Sequence, residues 1–492
     1  MKTYSIVSLA SEVAPFSKTG GLADVTRSLP KSLKRLGNDV VVVTPLYKKI
    51  IDREASGLKK IYHDVQLTIG KRTDVTVSYY RGELMRGLPI YFVSCDKYFG
   101  RKKNPYGSEH ENRRFFVFAA AALQLMILLD LKPDIIHCHD WHTGLVPELI
   151  KKAFKDHQPI ANAATVFTIH NLAFQLGHDW WEIPGPKRDT GITPLPDLYD
   201  DRHIERLNFT KRAILYADAI NAVSETYAEE ILNKNFGQDL HRILQNRKEK
   251  LFGVVNGIDY NEFNPANDPG LAANYNDASI QKKQKNKASL QKMHGLEQDD
   301  QAFIIVMTSR IAEQKGFDIL LPIVPSLMQL RTQIIIMGDG DKEYIKEINK
   351  LIKDYPNRIA LVSFKEHGLS ETMLYAGGSV SLLPSRFEPC GTGQLKSMRY
   401  GCAPIAREIG GLSDTVIDFD PQDDSGNGFV FKDYESFNLL AAIVRAYAHF
   451  QHPRTWKKLV EQGMRQSNSW DLPAREYMRL YKKALHFHNE KH

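Results

Sequence analysis

The chain has 492 residues, 42% of them hydrophobic and 25% charged, and that length predicts two or three domains because single cores stop growing well below it. Its net charge of +7, from 65 basic against 58 acidic residues, is scattered without an aromatic-interleaved basic stripe, which argues against nucleic-acid binding and suits an anionic small-molecule substrate. No apolar run approaches the roughly 20 residues that span a bilayer and no signal-peptide pattern opens the chain, so a cytoplasmic protein is expected.

Residues 4–10 read as a strand, and 12–21 (EVAPFSKTGG) as a loop rich in Pro and Gly. Leu22, Val25, Leu29, Leu33 and Leu36 then share one helical face, with Pro30 bending the helix and Gly37 ending it. Residues 40–43 form a continuous β-branched run, as in a parallel strand buried on both faces. This βαβ unit puts its glycine loop at the carboxyl end of the first strand, where open α/β sheets bind ligands, although the GxGxxG fingerprint is missing. Lys18 in that loop is the first candidate site residue.

Residues 65–93 alternate like a small antiparallel sheet, and 115–131 form a long apolar helix. The strand at 135–139 runs into Asp140-Trp141-His142-Thr143-Gly144. The cluster HCHDWH fits no standard ligand spacing, and the four cysteines, Cys95, Cys138, Cys390 and Cys402, show no metal-type pairing, so no metal is expected. The strand at 166–169 ends in His170-Asn171. Lys18, Asp140 and His170 therefore fall at the carboxyl edge of one sheet.

The second half restarts the α/β pattern. Lys282, Lys283, Lys285 and Lys287 form a charge run that reads as a solvated helix face. A strand at 303–307 is followed by the loop 310–316, then by a helix at 317–330 bent at Pro322 or Pro325. Strands at 334–337 and 359–362 follow, with Gly338-Asp339-Gly340 as a turn between them. The stretch LLPSRFEPCGTGQ (382–394) closes a strand at Pro384, sets Glu388 between an aromatic and a proline, and leads into a helix. Gly391 and Gly393 allow close backbone approach, and the amides from Thr392 onward are unpaired first-turn donors, a ready anion site. A carboxylate beside an anion cradle is better placed for hydroxyls attached to the phosphate, and that combination points to a sugar nucleotide. Arg310 and Lys315, five residues apart in one loop, are suited to neutralise a diphosphate without a metal ion.

Seven stretches occur in one order: SKTGGLADV (17–25), HDWHTGL (139–145), FTIHNLAFQ (167–175), VVNGIDYNEFNP (254–265), SRIAEQKGFDIL (309–320), PSRFEPCG (384–391) and GGLSDTV (410–416). Together they resemble the bacterial glycogen synthases and plant starch synthases over nearly the whole chain. The resemblance implies the GT-B architecture, two Rossmann-like doubly wound α/β domains facing across a deep cleft. The expected division is 1–250, completed by a C-terminal helix at 470–492, and 251–469. It further implies a retaining hexosyltransferase that moves glucose from ADP-glucose to the non-reducing end of an α-1,4-glucan, with no cofactor and no membrane or nucleic-acid partner. Lys18, with Gly20 and Gly21, would bind the sugar nucleotide from the N-terminal side. His170 and Asn171 would lie beside the transferred glucose, and Asp140 on the acceptor side. Arg310 and Lys315 would hold the diphosphate, Glu388 the glucose hydroxyls, Phe364 the adenine, and Thr392, Gly393 and Gln394 the phosphates.

The chain departs from that family at Thr392-Gly393, where it usually has Leu-Thr. It departs again at Glu225, at Phe174 and at Ser379, so donor choice and acceptor length stay open. A related retaining transferase using UDP-glucose, or an inactive glucan-binding homologue, are the alternatives.

Overall fold

The structure, a computed structural model, describes residues 2–69, 72–101, 103–365 and 370–490. The chain divides into two compact units, Met1–Asn256 with Trp470–His492, and Gly257–Ser469. The first contains β1 (Ser5–Leu9), β2 (Asp39–Pro45), β3 (Lys59–Ile69), β4 (Arg72–Met85), β5 (Leu88–Ser94), β6 (Ile135–His139), β7 (Ala164–Ile169), β8 (Ala219–Ala222) and β9 (Leu251–Gly253). They form one sheet in the order β3-β4-β5-β2-β1-β6-β7-β8-β9. β1 lies at its centre, with Val7 opposite Val41 of β2 and Ile136 of β6, both in parallel.

The antiparallel strands expected at 65–93 are not a separate sheet. β5 pairs in parallel with β2, Val42 opposite Ile90, so β3 and β4 extend the main sheet. β9 pairs with β8, Ile220 opposite Leu251, which carries the first unit on to Asn256 instead of residue 250. Helix Gly21–Arg35 runs through Pro30 and buries Leu22, Val25, Leu29 and Leu33. Gly37, at φ 89°, ends it by donating its amide to the Lys34 carbonyl at 2.9 Å. The last helix, Asp471–Asn489, buries Tyr477, Tyr481 and Ala484 in a core shared with Ile6, Val166 and Ala219.

The second unit holds β10 (Phe303–Thr308), β11 (Thr332–Met337), β12 (Ile359–Val362), β13 (Val380–Leu383), β14 (Ala403–Arg407) and β15 (Phe429–Phe431). The order is β12-β11-β10-β13-β14-β15, parallel throughout. Ile305, Met307, Ile334 and Ile336 enter one core, and Ile304, Val306, Ile335 and Met337 the other. A sheet covered on both faces needs apolar side chains at every position, hence the unbroken runs in β10 and β11. The expected helix at 317–330 is broken into Phe317–Leu320, a 3-10 turn Leu321–Ile323 and Val324–Leu327, with a proline opening each of the last two pieces.

Only half of the lysine run is a solvated face: Lys282 and Lys285 are exposed, whereas Lys283 and Lys287 turn inward. The Lys283 ammonium donates to the carbonyls of Tyr375, Ala376 and Tyr400 at 2.5, 2.8 and 3.2 Å. Lys287 donates to those of Asp300 and Ala302, both at 2.6 Å. These carbonyls close helix ends and strand entries, where a cation supplies missing donors. Lys283→Met leaves three carbonyls without that donor and is expected to lower unfolding stability by about 1–3 kcal/mol in thermal or urea denaturation. An unchanged midpoint would remove Lys283 from the framework.

Candidate active site

In the second unit, the loop after β10 and the loop after β13 carry the charged residues. The 338–340 turn presses on the first of them. A Cβ on Gly340, at φ 157°, would sit 2.1 Å from the Ile311 carbonyl oxygen, and Ile311 and Gly340 form a β-bridge beside Arg310. Between the two glycines, the Asp339 carboxylate accepts the Ser363 hydroxyl at 2.7 Å and the Phe364 amide at 3.2 Å. A segment that reads as a plain turn thus orders both the Arg310 loop and Phe364, whose ring is 46% exposed.

Glu388 is fixed from the opposite side. A Cβ on Gly410, at φ 46°, would lie 2.0 Å from the Glu388 carbonyl oxygen, and the Gly411 amide donates to the carbonyls of Glu388 and Pro389, each at 3.2 Å. No larger residue fits, which explains the paired glycines of GGLSDTV. The Glu388 carboxylate accepts the Lys315 ammonium at 2.5 Å and the Ser385 hydroxyl at 3.2 Å. Residues expected to hold a diphosphate and sugar hydroxyls separately therefore hold each other. Arg310, in the same loop, is exposed and donates to the Gln314 side-chain oxygen at 3.2 Å. Thr392 is the N-cap of the seven-residue helix Gly393–Arg399 and makes no side-chain cap. The Gln394 side chain does not face a ligand. It is fully buried and donates to the carbonyls of Cys390 and Gly391 and to the Thr415 hydroxyl, which leaves only its backbone for the role expected of it.

In the first unit, adjacent strands β6 and β7 bring Asp140 and His170 together. The Asp140 carboxylate accepts the His170 amide at 2.7 Å. Asp140 itself sits at φ 58°, ψ 176°, a conformation disfavoured for a side chain with a Cβ and the kind of strain that gathers at functional sites. The imidazole of His170 meets His139 at 3.1 Å. Burial pushes His170 down to about 3 and holds His139 and His142 well below the ordinary histidine value, so all three are neutral at working pH. Among the described residues no group of three His, Cys, Asp or Glu is placed to hold a metal ion.

Lys18 is 47% exposed and pairs with Asp24 at 2.7 Å. Asn171 turns its side-chain oxygen onto the Ala173 amide at 3.0 Å. Gly20 and Gly21 face open space, with no heavy atom within 4 Å of a Cβ built on either. The residue that sequence reading passed over is Glu12. It is 2% exposed and accepts both the amide and the hydroxyl of Thr19, at 2.7 and 2.9 Å, which ties the KTGG loop to the end of β1. Burial raises its carboxyl to about 7, and burial together with the nearby charge of Glu12 raises Asp140 to about 7 as well. No sequence signal separates Glu12 from any other loop carboxylate, since only burial makes it unusual.

Among known proteins, a family model described as the starch synthase catalytic domain matches residues 5–246, and one described as glycosyl transferases group 1 matches residues 290–461. The glycogen synthase of Thermosipho melanesiensis is 38% identical over 485 residues, 97% of this chain and 98% of its own length. That of Thermotoga petrophila is 39% identical over 490 residues, 98% of this chain and 99% of its own. The solved catalytic domain of starch synthase IV from Arabidopsis thaliana, bound to ADP and acarbose, matches with a TM-score of 0.86 at 30% identity, over 99% of this chain and 100% of that one. Sucrose-phosphate synthase from Thermosynechococcus elongatus, 18% identical with a TM-score of 0.62 over 97% of this chain and 98% of its own, shares the fold.

Two outcomes follow from this geometry. Gly410→Ala is expected to displace Glu388 and to cut turnover while lowering the melting temperature; a wild-type rate would show that the loop tolerates the shift. The raised carboxyl of Glu12 means that folding opposes its ionisation. The penalty is absent below about pH 4.5, grows as pH rises to about 7, and is complete above that. Glu12→Gln should therefore be more stable than the parent at pH 8, by roughly 2–3 kcal/mol, with the difference vanishing at acid pH. Equal denaturation midpoints at pH 8 would refute this.

Proposed function

The chain belongs to the family of bacterial glycogen synthases and plant starch synthases, and from that premise we propose that it transfers glucose from ADP-glucose to the non-reducing end of an α-1,4-glucan with retention of configuration. As a glycogen or starch synthase it is a hexosyltransferase. The observation that carries the finer reading is the Lys315–Glu388 ion pair at the end of β10, with Arg310 in the same loop.

An incoming sugar diphosphate offers Lys315 a stronger anionic partner than one carboxylate, and with the exposed fork of Arg310 it supplies two cations for the departing ADP. Charge that develops on the leaving oxygens is then met by groups already in place, the arrangement that lowers barriers most. Glu388, released from Lys315, accepts sugar hydroxyls. Two fixed cations make a resident metal unnecessary in this scheme. The plant relative solved with ADP and acarbose supports an adenine nucleotide donor and a glucan-like acceptor here.

Retention by double displacement needs an ionised carboxylate nucleophile. In the first unit burial makes Asp140 and Glu12 less readily ionised than ordinary carboxylates, and the Asp140 carboxylate is already engaged by the His170 amide. We therefore favour same-face attack by the acceptor hydroxyl, through an ion-paired oxocarbenium-like state, over double displacement. Neutral His170 can offer the sugar a hydrogen bond without competing for the positive charge of that state.

Incubation with ADP-glucose or UDP-glucose, glycogen and EDTA is expected to release ADP in preference to UDP. Preferential UDP release would overturn the donor, and loss of activity on chelation would overturn the metal-free scheme. Glu388→Ala is expected to lower turnover about a hundredfold. Wild-type-like release would take Glu388 out of the reaction.

A further inference from the structure

Beneath His170 lies a row of buried imidazoles that the scheme above leaves unused. The rings of His137 and His139 lie 4.0 Å apart between centroids, tilted by 35°, and His139 Nδ1 meets His170 Nε2 at 3.1 Å. His137 Nδ1 lies 2.9 Å from the Tyr481 hydroxyl, and its Nε2 lies 2.7 Å from Thr168 Oγ1. The amide nitrogen of Asn221 donates to Thr168 Oγ1 at 3.3 Å and to the Tyr477 hydroxyl at 3.0 Å. His139 is 0% exposed, and its Nε2 is buried without a hydrogen-bond partner.

These contacts assign the protons of His139 and His170. His137 Nδ1 is engaged by the Tyr481 hydroxyl and its Nε2 by Thr168 Oγ1, whichever of its nitrogens carries the proton. His137 thus has both nitrogens engaged and cannot satisfy His139. Neutral His139 and His170 share one hydrogen bond, and one of them must donate. If His170 donated from Nε2, the His139 proton would move to Nε2 and bury an N–H with nothing to accept it, the rarest defect in folded proteins. If His139 donates from Nδ1, only a lone pair is left unmet.

We infer that His139 is a positioning residue that locks His170 as the tautomer protonated on Nδ1, so that the remaining nitrogen of His170 is a hydrogen-bond donor and never an acceptor. The inference deepens the reading of His170 as the residue beside the transferred glucose, and rests on it for its consequence. The donor then meets a hydroxyl oxygen of the sugar. The opposite tautomer would present a lone pair that accepts a hydroxyl proton and leaves the oxygen more electron-rich. A fixed tautomer therefore decides which way the hydrogen bond to the substrate runs.

Long-range proton–nitrogen correlation spectra of ligand-free protein labelled with ¹⁵N at histidine, with His170 assigned by the loss of its signals in His170→Gln, read the tautomer directly. The expected spectrum has a pyrrole-like Nδ1 and a pyridine-like Nε2 for His170. The reverse pattern in the wild-type protein overturns the inference without any variant having to fold. His139→Phe, which removes the donor, should shift the His170 pattern and lower kcat about 10- to 100-fold, since a wrong tautomer is a severe defect in other imidazole catalysts. His139→Asn, whose amide can donate from nearly the Nδ1 position, should restore both. An unchanged His170 spectrum in folded His139→Phe overturns the proposal. The spectra are taken without substrate, so they stand whether or not His170 takes part in transfer, which the turnover of His170→Gln tests separately.

Discussion

The candidate site of the second unit depends on the placement of Glu388, whose main chain is fixed by close packing before its side chain finds partners. Gly410 and Gly411 bring one helix start against the 388–390 backbone so closely that no Cβ fits, and the carboxylate is left to find its own partners, Lys315 and Ser385. A largely buried ion pair of this kind adds little net stability, because desolvation offsets most of its Coulomb attraction. Its value is in order. Each charge keeps the other in a defined place, and a sugar diphosphate that carries both phosphate and hydroxyls can take over both partners at once.

The first unit follows a different logic. Its candidate groups are uncomfortable where they sit: carboxylates that resist ionisation, imidazoles that resist protonation, and Asp140 in a strained backbone conformation. Such features lower stability and persist only where the surroundings enforce them. Here the enforcement comes from the parallel pairing of β6 with β7 and from the last helix, which delivers the hydroxyls of Tyr477 and Tyr481 beneath the site. The residues that complete the polar floor of the first unit are thus the last to be made.

Much of this was legible in the chain. Runs such as Val40 to Val43 announce buried parallel strands, because burial on both faces demands apolar side chains at every position, and the strand ends located Asp140, His170, Arg310, Lys315 and Glu388 in loops at carboxyl edges. Ordered motifs carried the family. What failed were inferences about side-chain environment. Lys283 and Lys287 look like solvated charge and instead bind carbonyls, and the Gln394 side chain looks like a ligand contact and instead braces its own loop.

The sequence by itself therefore determined most of the elements and the chemistry available at each strand end, because those follow from periodicity and residue type over a few neighbours. Only the tertiary structure decided which groups are dry, which are paired and which nitrogen carries a proton. Asp339 and His139 acquire their roles from segments tens of residues away, Glu12 acquires its role from burial, and burial is a property of the packed neighbourhood that no local pattern encodes.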